Sequence, residues 1–250
     1  MIDQLFPVVV VHGVGIGENR DRAGFSRNLS DSVTETQRPV IRVGPNETPF
    51  SEPVPENSVM WEEALWEGEN TAIDNQIAFS LELAVQAHLT RDIVKKTLDL
   101  LGDVPLYLGP QGSRIRNVVK TVVAKHPNCV LVGHSLGSVI LYEILRQAQD
   151  QDDFTSLPVS SFITLGSPLS LLFDCLPPSS RMKKEFPFKW LNFYFPNDLI
   201  CAKKPLDTAN YLNVCNYQLN PEKSLGESHT AYWSMPAVSD TVYRLTRGKV

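Results

Sequence analysis

The segment CVLVGHSLGSVILYEIL, residues 129–145, constrains the fold more than any other part of this 250-residue sequence. It begins with consecutive apolar residues, which are typical of a parallel strand buried on both faces. A helical pattern starts directly after the pentapeptide GHSLG, so strand passes into helix through a very tight turn. We expect strained backbone at Ser135 and glycine two residues to either side, because larger side chains would collide with the adjacent strand and helix. The segment therefore predicts the strand–turn–helix unit of an α/β protein.

The rest of the chain alternates short β-branched runs with helical patterns. This alternation is typical of a mostly parallel central sheet with helices on both faces, and the length suits one such domain over residues 1–250. Two segments interrupt it, Gly44–Asn57 and 169–190, as either ordinary connections or excursions that shape a pocket or lid. We predict strands at Val8–Val11, Val40–Val43, Cys129–Val132, Ser161–Leu165, Leu191–Phe195 and Tyr211–Asn216. We predict helices at Asp21–Thr36, Ala72–Leu101, Ser113–His126, Leu136–Gln149 and Pro236–Arg247.

Charge and composition limit the environment and the partners of the protein. The formal net charge of −5 argues against nucleic acid or an anionic membrane surface as the main partner. No stretch approaches the roughly 18 apolar residues of a membrane span, and the beginning MIDQLFPVVVV lacks the basic region and cleavage site of a signal peptide. We therefore expect a cytoplasmic protein without an integral membrane span. The cysteines lack CxxC spacing and are expected to be reduced thiols: Cys129, Cys175, Cys201 and Cys215.

Ser135 is the candidate nucleophile, because the turn would lift its hydroxyl clear of the sheet at the positive end of the next helix. A serine attacks efficiently only when a base takes its proton and an acid orients that base. In folds with this turn the chain order is serine, acid, histidine. His229 in LGESHTAYW is the only histidine after the serine. For the acid we predict Asp198, which follows the strand-like WLNFYF, with Asp174 as the alternative.

The opening FPVVVVHGVGIGENR allows two interpretations. A strand followed by alternating glycines is found in dinucleotide-binding proteins, where the pattern is G-x-G-x-x-G/A. Counted from Gly13 and Gly15, the third position is Glu18, whose carboxylate would repel a pyrophosphate. The other interpretation is a loop that directs a backbone N–H at a developing oxyanion, with a second N–H from Leu136 after the nucleophile. We favour this one, with Val14 as the first choice of donor and Gly15 as the second.

Five segments in this order resemble the α/β-hydrolase superfamily over nearly the whole chain: VVVVHGVG, VLVGHSLGSVILYEIL, FITLGSPL, NFYFPNDLI and ESHTAYW. The resemblance implies the fold of that superfamily, a nucleophile at Ser135, an acid at Asp198, a base at His229, and N–H donors at Val14 and Leu136. The combination is similar to the lipase and esterase branch near glycosylphosphatidylinositol inositol-deacylase-like proteins. DVPLYLGPQGSRIRNVV also resembles a segment of DDHD-type phospholipases and their bacterial relatives. The DDHD tetrad itself is absent, and GESH stands at the histidine.

These residues together predict a serine esterase or lipase-like enzyme that works through an acyl-enzyme and requires neither a metal nor an organic cofactor. We expect the substrate to be a small-molecule or lipid-like acyl ester. Leu169–Phe173 and the Pro177–Phe188 loop would form an apolar lid, with Leu171, Leu172 and Phe173 alternatively part of the core. Amide or thioester hydrolysis by the same residues is an alternative, and so is a catalytically silent binding protein with this fold.

Overall fold

A computed structural model of the chain describes residues 5–13, 25–34, 59–64, 107–109, 111–173, 176–181, 183–220 and 228–248. The described strands are β1 (Val8–Val11), β2 (Trp61–Ala64), β3 (Cys129–His134), β4 (Val159–Leu165), β5 (Lys189–Tyr194) and β6 (Val214–Gln218). All neighbouring strands are parallel, and the order across the sheet is β2–β1–β3–β4–β5–β6. The described helices are α1 (Arg27–Thr34), α2 (Gly112–Ala124), α3 (Leu136–Asp150), α4 (Leu169–Leu172), α5 (Ser228–Ala231) and α6 (Pro236–Thr246). Short 3₁₀ turns span Pro178–Arg181 and Tyr232–Ser234.

Helices cover both faces of the sheet, as predicted. Because successive side chains of a strand point to opposite faces, each central strand contributes to two apolar layers. Leu131 of β3 lies in the layer that contains residues of α2 and α3. Val130 and Val132 lie in the layer that contains residues of α1 and α6. A strand buried on both sides must be apolar at consecutive positions, which explains the valine run of β1 as well.

The predicted elements agree with the structure where they fall on described residues, with shifts at their ends. The predicted strand Val8–Val11 is observed unchanged, whereas Tyr211–Asn216 is displaced to Val214–Gln218. The sequence reasoning missed β2, a strand at the margin of the described sheet whose sequence WEEA has little apolar character. Other predictions lie outside the described residues: the strand Val40–Val43, the helix Ala72–Leu101, the excursion Gly44–Asn57, and positions 21–24 and 35–36 of the first helix.

A row of polar side chains crosses three strands at one level of the sheet. Thr164, Asn192 and Asn216 are paired in register on β4, β5 and β6. The hydroxyl of Thr164 donates to Oδ1 of Asn192 at 2.8 Å, and Nδ2 of Asn192 donates to Oδ1 of Asn216 at 2.8 Å. Asn216 then bonds both the carbonyl and the N–H of Leu206 at 3.0 Å. A shift of register by one residue would break every bond of this row, so the row fixes how the three strands align.

The segment that follows α4 is held against α3 by polar side chains of that helix. Arg146, fully buried, donates to the carbonyl of Lys184 at 2.6 Å, and its guanidinium lies 4.1 Å from the ring of Phe186. Gln149, one turn further along the helix, donates to the carbonyl of Glu185 at 2.6 Å. Among the residues considered for a lid, Leu169 and Leu172 are fully buried in the core.

The segment DVPLYLGPQGSRIRNVV, which precedes β3 in the sequence, contributes a buried polar contact to α3. Tyr107 and Arg116 both donate to the carboxylate of Glu143 on α3, the latter at 3.3 Å. Ser180 donates to the other oxygen of this carboxylate at 3.2 Å. One buried charge on α3 thereby joins α2, the residues before it and the first 3₁₀ turn. Within the described ranges, no helix is both long and apolar enough to cross a membrane.

Replacing Asn192 by alanine should lower the free energy of unfolding by about 1–3 kcal/mol, because it leaves the buried Thr164 hydroxyl without its acceptor and removes one of the two donors to the Asn216 side-chain carbonyl. Urea unfolding would measure this loss. Asn117→Ala, at an exposed position of α2, is the matched control and should change stability by less than about 0.5 kcal/mol. Equal effects of the two substitutions would contradict the role given to the polar row.

Candidate active site

Ser135 occupies the turn between β3 and α3 with φ 52° and ψ −129°, in a region that side chains other than glycine rarely adopt. The prediction of strained backbone there is confirmed. Hydrogen bonds to both the N–H and the carbonyl of Ser135 stabilise this strained conformation. The N–H of Ser135 donates to the carbonyl of Leu165 at 3.0 Å, and its carbonyl accepts from Ser138 Oγ at 2.5 Å. Among the described residues, Oγ of Ser135 has no hydrogen-bond partner.

The glycines around this turn are required by close contacts. A Cβ on Gly133 would lie 2.6 Å from Cα of Ser138, and one on Gly137 would lie 2.2 Å from the carbonyl oxygen of Val11. Both distances are far below van der Waals contact, so neither position tolerates a side chain. This confirms the expectation that only glycine fits two residues before and after Ser135.

The turn after β1 runs directly past Ser135. Val11 is paired in register with Gly133, so the two strands end side by side. A Cβ on Gly13 would lie 2.4 Å from Cβ of Ser135 and 2.9 Å from its Oγ. The backbone after β1 is therefore in contact with the serine. Val14 and Gly15, the predicted donors of this turn, lie outside the described residues.

Asp198 and His229 are brought together from segments 31 residues apart. Asp198 follows the end of β5, and His229 lies in α5, one short turn before the second 3₁₀ turn. The Nδ1–H of His229 donates to the carboxylate, at 3.0 Å from Oδ2 and 3.2 Å from Oδ1. Both side chains are buried, with 4% of His229 and 1% of Asp198 exposed. Asp174, the alternative acid, lies outside the described residues.

The buried carboxylate of Asp198 is ionised because its donors outweigh its loss of hydration. Burial alone would raise the pKa of Asp198, but the nearby His229, the hydroxyl of Tyr232 and the N–H of Ile200 together lower it below its usual value. The Ile200 N–H donates to Oδ1 at 2.9 Å, and the Tyr232 hydroxyl donates to Oδ2 at 2.8 Å. A permanent negative charge thus faces the imidazole, where it would stabilise a protonated ring.

His134, directly before Ser135, holds the backbone of the segment that carries His229. Its Nε2–H donates to the carbonyl of His229 at 2.6 Å, and the two rings lie 4.7 Å apart. Burial, together with the proximity of His229, lowers the pKa of His134 to about 3. The imidazole is therefore neutral near pH 7 and acts as a hydrogen-bond donor. The sequence analysis gave it no role, because an arbitrary residue stands at this position of G-x-S-x-G.

Aromatic rings connect the turn after β1 with the segment of His229. The ring of Phe25 lies 4.9 Å from His12 and 5.7 Å from Trp233. Trp233 in turn lies 4.9 Å from His134. These rings extend the apolar layer of α1 and α6 to the carboxyl-terminal edge of the sheet, where β1 and β3 end. For the part of the chain described, no group of three or more His, Cys, Asp or Glu side chains is arranged to hold a metal ion.

Comparison with known proteins gives a fold. No family model matches the sequence, and no curated protein matches it. Among solved structures, a hyperthermophilic esterase from the archaeon Pyrobaculum calidifontis is similar with a TM-score of 0.52 and 11% identity, over 98% of this chain and 77% of that one. This likeness, with the parallel six-stranded sheet, identifies the α/β-hydrolase fold.

Two further structures match with lower scores. A dienelactone hydrolase from Anabaena variabilis has a TM-score of 0.41 and 12% identity, over 98% of this chain and 88% of that one. RedJ, a thioesterase of the prodiginine biosynthetic pathway in Streptomyces coelicolor, has a TM-score of 0.43 and 9% identity, over 98% of this chain and 86% of that one.

Replacing His134 by glutamine should make stability less dependent on pH. The pKa of this histidine is about 3 in the folded protein and 6.5 ordinarily, so below pH 6.5 the unfolded chain binds a proton that the folded chain does not. The free energy of unfolding therefore decreases as the pH is lowered, by up to about 1.4 kcal/mol per pH unit for this group. Glutamine retains an N–H donor but does not titrate.

The measurement is urea unfolding of both proteins at about pH 7 and about pH 5. The loss of stability on acidification should be roughly 2 kcal/mol smaller in the variant. His126→Gln, a change at a histidine of the α2–β3 connection, serves as the control. An equal loss in wild type and His134→Gln would rule out a buried neutral histidine at this position.

Proposed function

We propose that this chain, which has the α/β-hydrolase fold, is a serine hydrolase of carboxylic esters with Ser135 as nucleophile, His229 as base and Asp198 as acid. The observation that carries the proposal is the buried Asp198–His229 pair, bonded at 3.0 Å beside the strand end from which Ser135 projects. The positive φ of Ser135 adds support, since this strained turn between strand and helix is the one that presents a nucleophilic serine.

The chemistry begins with attack of Ser135 Oγ on the ester carbonyl carbon. The hydroxyl proton passes to Nε2 of His229, while Nδ1–H stays bonded to the Asp198 carboxylate, which stabilises the imidazolium. The tetrahedral intermediate collapses as the bond to the alcohol oxygen breaks, and His229 returns the proton to the departing alcohol. Water then attacks the acyl-enzyme with His229 again as base, which releases the acid and restores the serine. This series of reaction steps requires neither a metal nor an organic cofactor.

We place the oxyanion between two backbone N–H groups, one from Leu136 at the start of α3 and one from the turn after β1. Val14 is our first choice for the second donor and Gly15 the next. The contact between Gly13 and Ser135 supports this arrangement, because it brings the backbone of the turn against the nucleophile with no side chain between them. Such a donor typically contributes about 3 kcal/mol to transition-state stabilisation.

For the substrate we propose small-molecule or lipid-like acyl esters. Within the superfamily we place the chain near the glycosylphosphatidylinositol inositol-deacylase-like and DDHD-like hydrolases. The sequence segments quoted above support that finer placement. A p-nitrophenyl ester series of increasing acyl length would test the lipid-like range, because turnover confined to the shortest esters would exclude it.

Labelling with a fluorophosphonate probe tests the nucleophile. Wild type should be labelled, and Ser135→Ala should lose both the label and the hydrolysis of p-nitrophenyl acetate, by about 10³-fold or more. Ser161→Ala, at another buried serine on β4, is the matched control and should retain both. Equal labelling of Ser135→Ala, or none of native wild type, would refute the proposal and favour a silent binding protein.

The acid is tested by a pair of substitutions. Asp198→Asn should lower kcat by roughly 10²- to 10⁴-fold, because an amide neither orients the correct tautomer of His229 nor stabilises its charged form. Asp174→Asn, at the alternative acid, should leave kcat close to wild type. The reverse result would transfer the role of acid to Asp174. Comparison of ester, thioester and amide substrates on the wild type then defines the reaction class.

A further inference from the structure

Tyr232 donates a hydrogen bond to Asp198 but has no role in the reaction steps proposed above. It is fully buried in the 3₁₀ turn Tyr232–Ser234, three residues after His229. Its hydroxyl donates to Oδ2 of Asp198 at 2.8 Å and accepts from the N–H of Phe195 at 3.1 Å. The tyrosine thus links the turn that follows the base to both the end of β5 and the acid.

We propose that Tyr232 is a positioning residue, which fixes the carboxylate of Asp198 and through it the imidazole of His229. This inference rests on the function proposed above, since it assigns a role within the same site. Tyr232 acts through Asp198 and is given no contact with substrate.

Hydrogen-bond donors hold both oxygens of the Asp198 carboxylate. Each oxygen of Asp198 has its own donor besides His229: the Ile200 N–H on Oδ1 and the Tyr232 hydroxyl on Oδ2. Two donors at opposite ends fix the plane of the group, because rotation about its Cβ–Cγ bond would stretch both bonds at once. Without Tyr232, Oδ2 would lose its donor besides His229, and Nδ1–H of His229 would bond a carboxylate that Ile200 holds at one oxygen.

The hydroxyl proton of Tyr232 has a defined direction. A phenol oxygen has one proton to donate and can also accept a hydrogen bond. The N–H of Phe195 points at this oxygen, so the proton is directed away from it and towards Asp198. Burial, followed by the charge of Asp198, raises the pKa of Tyr232 far above its usual value, so the hydroxyl keeps this proton throughout the neutral range.

The tyrosine ring is packed closely against its neighbours. Gly166, at φ 54°, lies where a Cβ would come within 2.6 Å of Cε2 of Tyr232 and 2.8 Å of Oδ2 of Asp198. On another side the ring lies 4.7 Å from that of Phe195. Phenylalanine can therefore occupy the same space, and Tyr232→Phe removes the hydroxyl while the packing is retained.

Loss of the hydroxyl has a defined electrostatic consequence. A hydrogen-bond donor withdraws charge from the carboxylate, so its removal strengthens the attraction between Asp198 and a protonated His229. The protonated form of His229 should therefore be favoured in Tyr232→Phe relative to wild type. The described titratable groups around the pair are His134 from β3, Tyr232 itself, and Cys201, which lies beside Asp198. Their pKa values, about 3 for His134, about 12 for Cys201 and higher still for Tyr232, mean that none of these groups titrates between about pH 5 and pH 9.

The experiment compares Tyr232→Phe with wild type in turnover of p-nitrophenyl acetate between about pH 5 and pH 9. We expect kcat to fall roughly tenfold with little change in KM, because the base is less well oriented. We also expect the acidic limb of kcat/KM to move upward by about half a pH unit. Tyr142→Phe is the matched control. This buried tyrosine of α3 donates to the carbonyl of Ser180 and lies in the core layer on the opposite face of the sheet from Tyr232.

A titration of the histidines by NMR gives a readout that is independent of activity, with His229→Gln to assign the signal. A higher titration midpoint of His229 in Tyr232→Phe, but not in Tyr142→Phe, supports the proposal even if wild type hydrolyses no ester, in which case only the proposed function fails. An unchanged midpoint overturns the positioning role. So does a loss of kcat no greater than that of Tyr142→Phe, in an enzyme that is active.

Discussion

The close approach of two backbone turns at Ser135 is the constraint on which the site depends. Gly137 lies against the carbonyl of Val11, and Gly13 lies against Ser135 itself, at distances that exclude any side chain. Because β1 and β3 are paired in register, their ends arrive together at this point. The chain leaves β1 towards β2 on one side and returns to β3 on the other, so the contact lies at the switch point of the sheet, where open parallel sheets bind their ligands.

A buried charge then couples segments that are distant in the sequence. An unpaired carboxylate in the interior would cost several kcal/mol, so Asp198 is compatible with burial only while its donors stay in place. Two of them, His229 and Tyr232, come from the segment after β6, whereas Ile200 belongs to the loop of the acid itself. The same contacts that keep the fold from losing stability therefore also set the orientation of the imidazole. Stability and proposed catalysis depend on one set of hydrogen bonds.

Much of the fold could be predicted from the sequence because the central strands are buried on both faces. Consecutive apolar residues leave few other structures for β1 and β3, and the pentapeptide GHSLG fixes the start of α3. The strands at the margins carry a weaker signal. WEEA of β2 has two glutamates in four residues, and the position of β6 is set by the bonds of Asn216 rather than by apolar periodicity.

The residues of the site divide in the same way. Ser135, Asp198 and His229 could be proposed from chain order and from their positions relative to predicted strands. Tyr232 could not, since its partner lies 34 residues away and a tyrosine after a histidine has no distinctive pattern. His134 was equally silent, because its contact with the carbonyl of His229 spans 95 residues and involves the backbone of its partner. Contacts of this kind depend on which loops the sheet brings together.

The two layers of the core consequently have different relations to the proposed chemistry. The layer of α2 and α3 supports Ser135 from behind, and its polar contacts, such as those of Glu143 and Arg146, hold neighbouring segments to α3. The layer of α1 and α6 ends in His134 and Tyr232, which hold His229 and Asp198. Ser135 and His229 are thus supported from opposite faces of one sheet. Their mutual geometry depends on the register of the central strands, since that register alone sets where the two layers meet.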